Sequence, residues 1–347
     1  MVVDIMKSDK HIEIVRSTTK SLSSLSQVSC DAIFEVLARH FTSVGVSVVN
    51  DPAGLKSVVD SQPDLVFLGM EYITTGQGKI WLGEFLDEHR IAYTGSNKSA
   101  HLLGRSKPEA KQKIQRANLS TADFCVVSQW QVLDEADFAL NYPVFVKPSN
   151  GGGGYGVDSD SVVYNFDQLR RKVEIVTKVL RADALIETYL PGREFSVAIL
   201  KNKYDDDYLV MPIELIAPAD KNGERMLSGR VKHADAEIAL AITDEVLKSQ
   251  INELALASFV ALGARDYGRI DIRLSLDGTP HFLEANLIPC LIRNYGSFPK
   301  ACVINTGLEY EAMILQIVAL GLTRVNFVAE ALPEPVVIID PLLQPIG

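Results

Sequence analysis

Cysteine is scarce and scattered. Cys30, Cys125, Cys290 and Cys302 form no Cys-x-x-Cys pair, so neither a disulfide framework nor a thiolate zinc site is expected. Long apolar runs are missing too. No stretch approaches ~18 uninterrupted apolar residues, the length a transmembrane helix needs. The opening MVVDIMKSDKHIEIV has no apolar core of the secretory kind. Positive charge is in deficit: 34 Lys and Arg stand against 44 Asp and Glu, for a formal net charge of −10. That balance argues against nucleic acid or an anionic membrane as partner and leaves room for a local basic pocket. There is no internal repeat and no low-complexity segment. What remains is the profile of a cytoplasmic protein whose 347 residues can fill two or three domains.

Strand-like and helix-like runs alternate from the start. HIEIV (11–15) precedes the helical period of DAIFEVLARHF (31–41), and PDLVFLG (63–69) precedes GKIWLGEFLDEHR (78–90), read as a second amphipathic helix. This order predicts a parallel sheet with helices on its faces. SKPEAKQKIQRANL (106–119) is a basic helix. ADFCVV, YPVFVKP and DALIETYL (183–190) read as strands, FDQLRRKVEIVTKVL (166–180) as a helix, and EFSVAILK (194–201) with YLVMPIEL (208–215) as a meander. The polar stretch 217–237 is longer than a turn requires, and loops of that length are often functional. Helices are expected over 244–264 and 308–322, with a surface-draped tail from Asn326.

KPSNGGGGYG (147–156) places four glycines directly after a strand. The run is either a flexible turn or a lid of bare backbone N–H groups over phosphate. The stretch GRIDIRLSLDGTPHFLEANLIPC (268–290) bears on that choice. Asp277-Gly278 between two alternating runs predicts a two-residue hairpin. Leu276 then faces Thr279, Asp271 faces Glu284 and Arg269 faces Asn286. Two carboxylates directly opposite each other repel. In the bland reading, Arg269 and Arg273 neutralise them as a solvated pair. In the sharper one, Asp271, Glu284 and the amide oxygen of Asn286 hold Mg²⁺, with phosphate oxygens completing its shell. Lys147, at the end of the strand before the glycines, supplies a point charge for the same phosphate. His281 reads as a packing residue.

These stretches together resemble the ATP-grasp superfamily, and within it the D-alanine–D-alanine ligases, over roughly residues 60–322. YTGSNKSAHLLGRSKPEAK (93–111) is similar to the family's Tyr-Thr-Gly-Ser stretch and nucleotide-contacting lysine, here Lys107, although Ser106 replaces the usual Asp. YPVFVKPSNGGGGYGV resembles the family's strand lysine, Lys147, and its phosphate loop, here Gly151, Gly152, Gly153 and Gly154. LIETYLPGREFSVAIL (185–200) resembles the segment that holds adenine and ribose, with Glu187 on the adenine side and Glu194 on the ribose. The resemblance implies a three-domain α/β ATP-grasp architecture. The expected division is an N-terminal domain at 1–103, a central domain at 104–187, a C-terminal ATP-grasp domain at 188–325 and an extension at 326–347. It further implies ATP with two Mg²⁺ ions, or with Mn²⁺ in their place, and transfer of the γ-phosphoryl group to a carboxylate. An amine then displaces phosphate from the acyl phosphate. Lys147 and Arg269 would be catalytic, Arg269 at the oxyanion. Small amino-acid or carboxylate substrates follow, with a homodimer as one arrangement this reading allows.

The other half of the resemblance is altered. Gly151–Gly154 replace the family's Glu-Gly-Ser-Ser, VRSTTKSLSSLSQVS (15–29) replaces its N-terminal glutamate region, and GRVKHADAE (229–237) keeps Lys232 without the tyrosine. After Pro289 the family's oxyanion glycine is Cys290, and Arg293, Tyr295 and Ser297 are candidates for a remodelled acceptor pocket. Cys290 lacks a matching base and reads as a pocket wall. Three functions stand: a D-alanine–D-alanine ligase with a peptidoglycan role, a ligase of a specialised pathway with another donor or acceptor, and an ATP-binding protein without catalysis.

Overall fold

The structure, a computed structural model, describes residues 7–19, 25–202, 206–220, 223–234 and 236–330. The chain opens with β1 (Ser8–Arg16), α1 (Gln27–His40), β2 (Phe41–Val48), α2 (Pro52–Asp60) and β3 (Leu65–Leu68). The three strands pair in parallel in the order β2-β1-β3, as the alternation predicts. β2 itself carries no strong apolar signal because it is a half-exposed edge. Residues 78–90 are not one helix. Gly78–Trp81 is strand β5, folded back on β4 (Tyr72–Thr75), and α3 begins only at Leu82 and ends at Glu88. Gly78 has φ +127 at the turn and Trp81 packs 4.9 Å from Tyr72, so cross-strand pairing overrides the helical period.

Helices α4 (Lys98–Arg105) and α5 (Lys107–Arg116) lead to a four-stranded antiparallel sheet. Its strands are β6 (Phe124–Val127), β7 (Val144–Pro148), β8 (Val162–Val163) and β9 (Ala184–Thr188), in the order β6-β9-β7-β8. α6 (Phe166–Glu174) covers it and continues as a wider π turn through Val179. A second antiparallel sheet contains β10 (Glu194–Lys201), β11 (Tyr208–Ile216), β12 (Ile238–Ala241), β13 (Tyr267–Leu274) and β14 (Pro280–Asn286), ordered β12-β11-β10-β13-β14. The polar loop before β12 contains a short helix, α7 (Gly229–His233). α8 (Glu245–Ala261) buries Ile251, Leu254 and Phe259 against Ile270, Ile272 and Phe282 on one face of that sheet. α9 (Ser297–Thr306) and α10 (Tyr310–Glu330) join its other side to the parallel sheet in a shared core that includes Phe67, Met211, Tyr267, Phe298 and Ile314. α10 continues past the expected end at Leu322 to Glu330. Of the expected tail, 331–347 lie outside the described residues. No single helix among the described residues is long and apolar enough to cross a membrane.

The β13–β14 hairpin reaches the expected register by a different route. Its loop has three residues, closed by Ser275 N–H on Thr279 O at 3.0 Å, with Gly278 in the left-handed region at φ +86. Leu274 therefore pairs with Pro280, Arg273 with His281 and Ile272 with Phe282. A bulge between Asp271 and Ile272 then absorbs one residue, so that Asp271 faces Glu284 and Arg269 faces Asn286. The bulge is what brings the two carboxylates together.

Candidate active site

β13 is the centre of the site. Its odd-numbered residues Arg269, Asp271 and Arg273 share one face, while Ile270, Ile272 and Leu274 fill the core under α8. On one side β10 sets Ser196 opposite Asp271 and Glu194 opposite Arg273; on the other β14 sets Glu284 opposite Asp271 and Asn286 opposite Arg269. Arg269 grips Asp271 with two prongs, Nε to Oδ1 at 2.9 Å and Nη2 to Oδ2 at 2.8 Å, and Ser196 Oγ donates to Oδ1 at 3.0 Å. Arg273 pairs with Glu194 at 3.1 Å and reaches the carbonyl of Arg225 on the polar loop at 2.9 Å. The expected acidic pair is therefore present; Arg269 neutralises Asp271, and Arg273 neutralises Glu194 beside it.

The opposing wall comes from the smaller sheet. Phe145 sits directly across from Glu187, and Lys147 is its diagonal neighbour. Lys147 Nζ lies 2.5 Å from Glu187 Oε1. Lys107, first residue of α5, reaches Glu284 at 3.4 Å. A cleft runs between these walls, lined by Lys107, Lys147, Glu187, Glu194, Asp271 and Glu284 among others. Burial alone disfavours ionised Glu284, but Lys107, Lys232, Lys147 and Arg269 outweigh it and hold its carboxyl well below the usual range. Burial likewise opposes the charge on Glu187, yet Lys111 and Lys147 bring it down to about 2. Glu194 goes the other way: burial raises its pKa against Arg273 and Lys232.

The glycine loop closes the cleft from above. Gly151, Gly153 and Gly154 all have positive φ, and a Cβ on Gly154 would stand 2.4 Å from the backbone nitrogen of Gly229. Gly229 N–H donates to Gly154 O at 3.3 Å, so the loop rests on the start of α7. The polar loop adds Met226, Leu227 and Lys232 to the lining.

The second-substrate candidates separate. Ser297, at the start of α9, receives Arg269 Nη1 at 3.4 Å and so adjoins the site. Tyr295 donates its hydroxyl to the carbonyl of Lys232 at 2.5 Å. Arg293 is exposed, lies 4.7 Å from the ring centre of Tyr310 and does not line the cleft. His281 Nδ1 pairs with Ser120 Oγ at 2.9 Å. Sequence reasoning missed Lys111, Tyr189 and Met226. Lys111 had a signal: it lies one helical turn after Lys107, on the same face.

Magnesium is tested by the donor set itself. Asp271, Glu284 and Asn286 offer two carboxylates and an amide, hard oxygens that suit it. No group of three or more His, Cys, Asp or Glu that could hold a metal occurs among the described residues. The set therefore fits an ion that completes its shell with phosphate and water oxygens, not one caged by protein alone.

The chain is similar to known proteins in sequence and in fold. Residues 114–319 match the family model described as the D-Ala D-Ala ligase C-terminus. A D-alanine–D-alanine ligase of Hydrogenovibrio crunogenus is 30% identical over 238 residues, 68% of this chain and 72% of that one. Its counterpart in Halalkalibacterium halodurans is 28% identical over 320 residues, 90% of this chain and 99% of that one. The crystal structure of D-alanine–D-alanine ligase from Bacillus anthracis complexed with ATP superposes with a TM-score of 0.71 at 22% identity, covering 92% of this chain and 99% of that one. The three-domain architecture expected from the sequence is that of these structures.

Proposed function

The chain belongs to the D-alanine–D-alanine ligase family, and from that premise we propose how its residues divide the work of an ATP-dependent ligase that forms C–N bonds. Adenine lies on the Glu187 side of the cleft and ribose at Glu194. Glu187 lines the cleft with Lys111 on Oε2 and Lys147 on Oε1, which fixes its carboxylate on the adenine side. Lys107 and Lys147 neutralise phosphate oxygens from one wall, and the N–H groups of Gly151–Gly154 approach from the loop. Asp271, Glu284 and Asn286 would hold two Mg²⁺ ions, or Mn²⁺, which would supply neutralisation of phosphate charge. The donor carboxylate attacks the γ-phosphorus, ADP leaves, and the amine displaces phosphate from the acyl phosphate. Arg269, fixed in orientation by Asp271, stabilises the oxyanion of the second step.

The observation that carries this reading is that Lys107 and Lys147 line the same cleft as Asp271 and Glu284, cations for phosphate beside carboxylates for its metal. ADP release, measured with each amino acid as both enantiomers and with mass detection of product, tests it. Substrate-dependent turnover is expected, and its absence with every pair would favour an ATP-binding protein without catalysis. Glu284→Gln should lower kcat by roughly two decades and raise the Mg²⁺ concentration needed for half-maximal rate. Unaltered ADP production at limiting Mg²⁺ would remove this residue from the metal site.

A specialised ligase with another acceptor is the second reading, and one observation favours it. Gly296 caps α9 with no side-chain bond, and Tyr295 is already committed to Lys232. An acceptor carboxylate is then left with Ser297 and the first N–H groups of α9. Ser297→Ala should raise the acceptor KM more than Arg293→Ala does. The reverse order would return Arg293 to the pocket. The site takes small amino-acid or carboxylate substrates; a cytoplasmic location and a dimer belong to the same proposal.

A further inference from the structure

Lys111 belongs to no part of the proposed chemistry, yet among the described residues it is a charged side chain with no exposed surface. An ammonium in such a place needs fixed partners. It has them on three sides. Nζ donates to Thr121 Oγ1 at 2.7 Å, lies 3.0 Å from Glu187 Oε2 and stands 5.6 Å from the ring centre of Phe124. Thr121 in turn donates to the carbonyl of Phe282 at 2.8 Å, which ties the lysine to β14 two residues before Glu284. Glu187 thus sits between two lysines, Lys111 on Oε2 and Lys147 on Oε1.

The two lysines differ in freedom. Lys147 lines the cleft, whereas Lys111 does not. A phosphate entering the cleft competes with Glu187 for Lys147. If Lys147 were the sole counter-ion, its turn toward phosphate would strand a buried carboxylate, and that penalty would offset the new lysine–phosphate attraction. With Lys111 in place, Glu187 stays neutralised throughout.

We propose that Lys111 is a positioning residue, a fixed counter-ion that holds Glu187 so that Lys147 is free to engage the phosphates of ATP. The inference rests on the reading that this cleft takes ATP, and it adds a residue that reading leaves out.

The readout is the ratio of affinities for MgATP and adenosine, which isolates the phosphate contacts from the adenine contacts of Glu187. Calorimetry on the full chain supplies both values. In Lys111→Met the ratio should fall at least tenfold, and Lys111→Arg should keep it within about threefold of the parent. Glu187→Gln removes the charge that Lys111 serves. Adding Lys111→Met to that variant should therefore change the ratio by less than about threefold, a comparison that stands even if Lys111→Met alone does not fold. A lysine that only fills space would leave the ratio unchanged in Lys111→Met. A further tenfold loss in the Glu187→Gln background would show that Lys111 acts without Glu187. Either result overturns the proposal. A parent protein with no preference for MgATP over adenosine would instead overturn the ATP reading itself.

Discussion

Glu187 is nearly fully buried, and a carboxylate in that position survives only because its two lysines make ionisation easier than it is in water. The consequence is a pH-dependent contribution to stability. Its pKa is about 2 in the folded chain against an ordinary value of 4.5. A depressed carboxylate stabilises the fold above its unfolded value and loses that contribution as pH falls toward its folded value. The window is therefore about pH 4.5 down to about 2, and the contribution above it is about 3 kcal/mol. Glu187→Gln should be less stable than the parent by roughly that amount at pH 7, with the gap closing through this window. Urea unfolding of both proteins at several pH values measures it. A gap that stays constant down to pH 2 would mean that packing, not charge, accounts for the loss.

At the scale of elements, α5 shows how a polar-looking segment becomes part of a core. Its buried stripe is Lys107, Ala110, Lys111 and Ile114, a helical period in which two of four members are charged. Apolar periodicity misses such a stripe, because its partners Glu284 and Glu187 arrive from two different sheets. The glycine loop is a second case, and its glycines are not equivalent. Gly154 has φ +74 and meets Gly229 and Leu227 backbone atoms, whereas a Cβ on Gly152 meets nothing within 4 Å. Gly154→Ala should then lift the loop off α7 and weaken ATP binding roughly tenfold or more. Its loss should clearly exceed that of Gly152→Ala, with similar melting temperatures for both. Equal losses would mean that the loop's flexibility matters and its seating does not. Hydrogen exchange over residues 150–155 should also slow on adding MgATP.

At the scale of the molecule, one buried cluster joins the first sheet to the last helix. Asp266, in the left-handed region at φ +61, accepts both prongs of Arg324 at 2.8 and 2.6 Å and the N–H of Gly95 at 2.7 Å. Arg324 also donates to the carbonyl of Tyr93 at 2.5 Å, and Arg265 donates to that of Gly95 at 2.6 Å. Asp266→Ala strands a guanidinium and a backbone donor, so a loss of about 3–5 kcal/mol is expected in urea unfolding. Asp266→Asn, which keeps an acceptor and tolerates the same φ, should lose less. Equal losses would place the effect in backbone strain alone.

The amino-acid order by itself determined the alternating strands and helices of the first sheet, the glycine loop after Lys147 and the hairpin that carries Asp271 and Glu284. These depend on neighbours in sequence: apolar period, turn residues and strand alternation act over a few positions. It also carried the resemblance that led to the family. The tertiary structure decided the rest. It turned Gly78–Trp81 into a strand, because Tyr72 offered Trp81 a cross-strand partner. It placed a bulge in β14, without which Asp271 would face Leu283 and not Glu284. It set Arg293 on Tyr310 and brought Ser297 to Arg269. It put Lys111 of α5 against Glu187 of β9, far along the chain. Each of these contacts joins residues whose mutual attraction has no trace in local pattern, since a buried ion pair is favourable only once both partners have been carried out of water together.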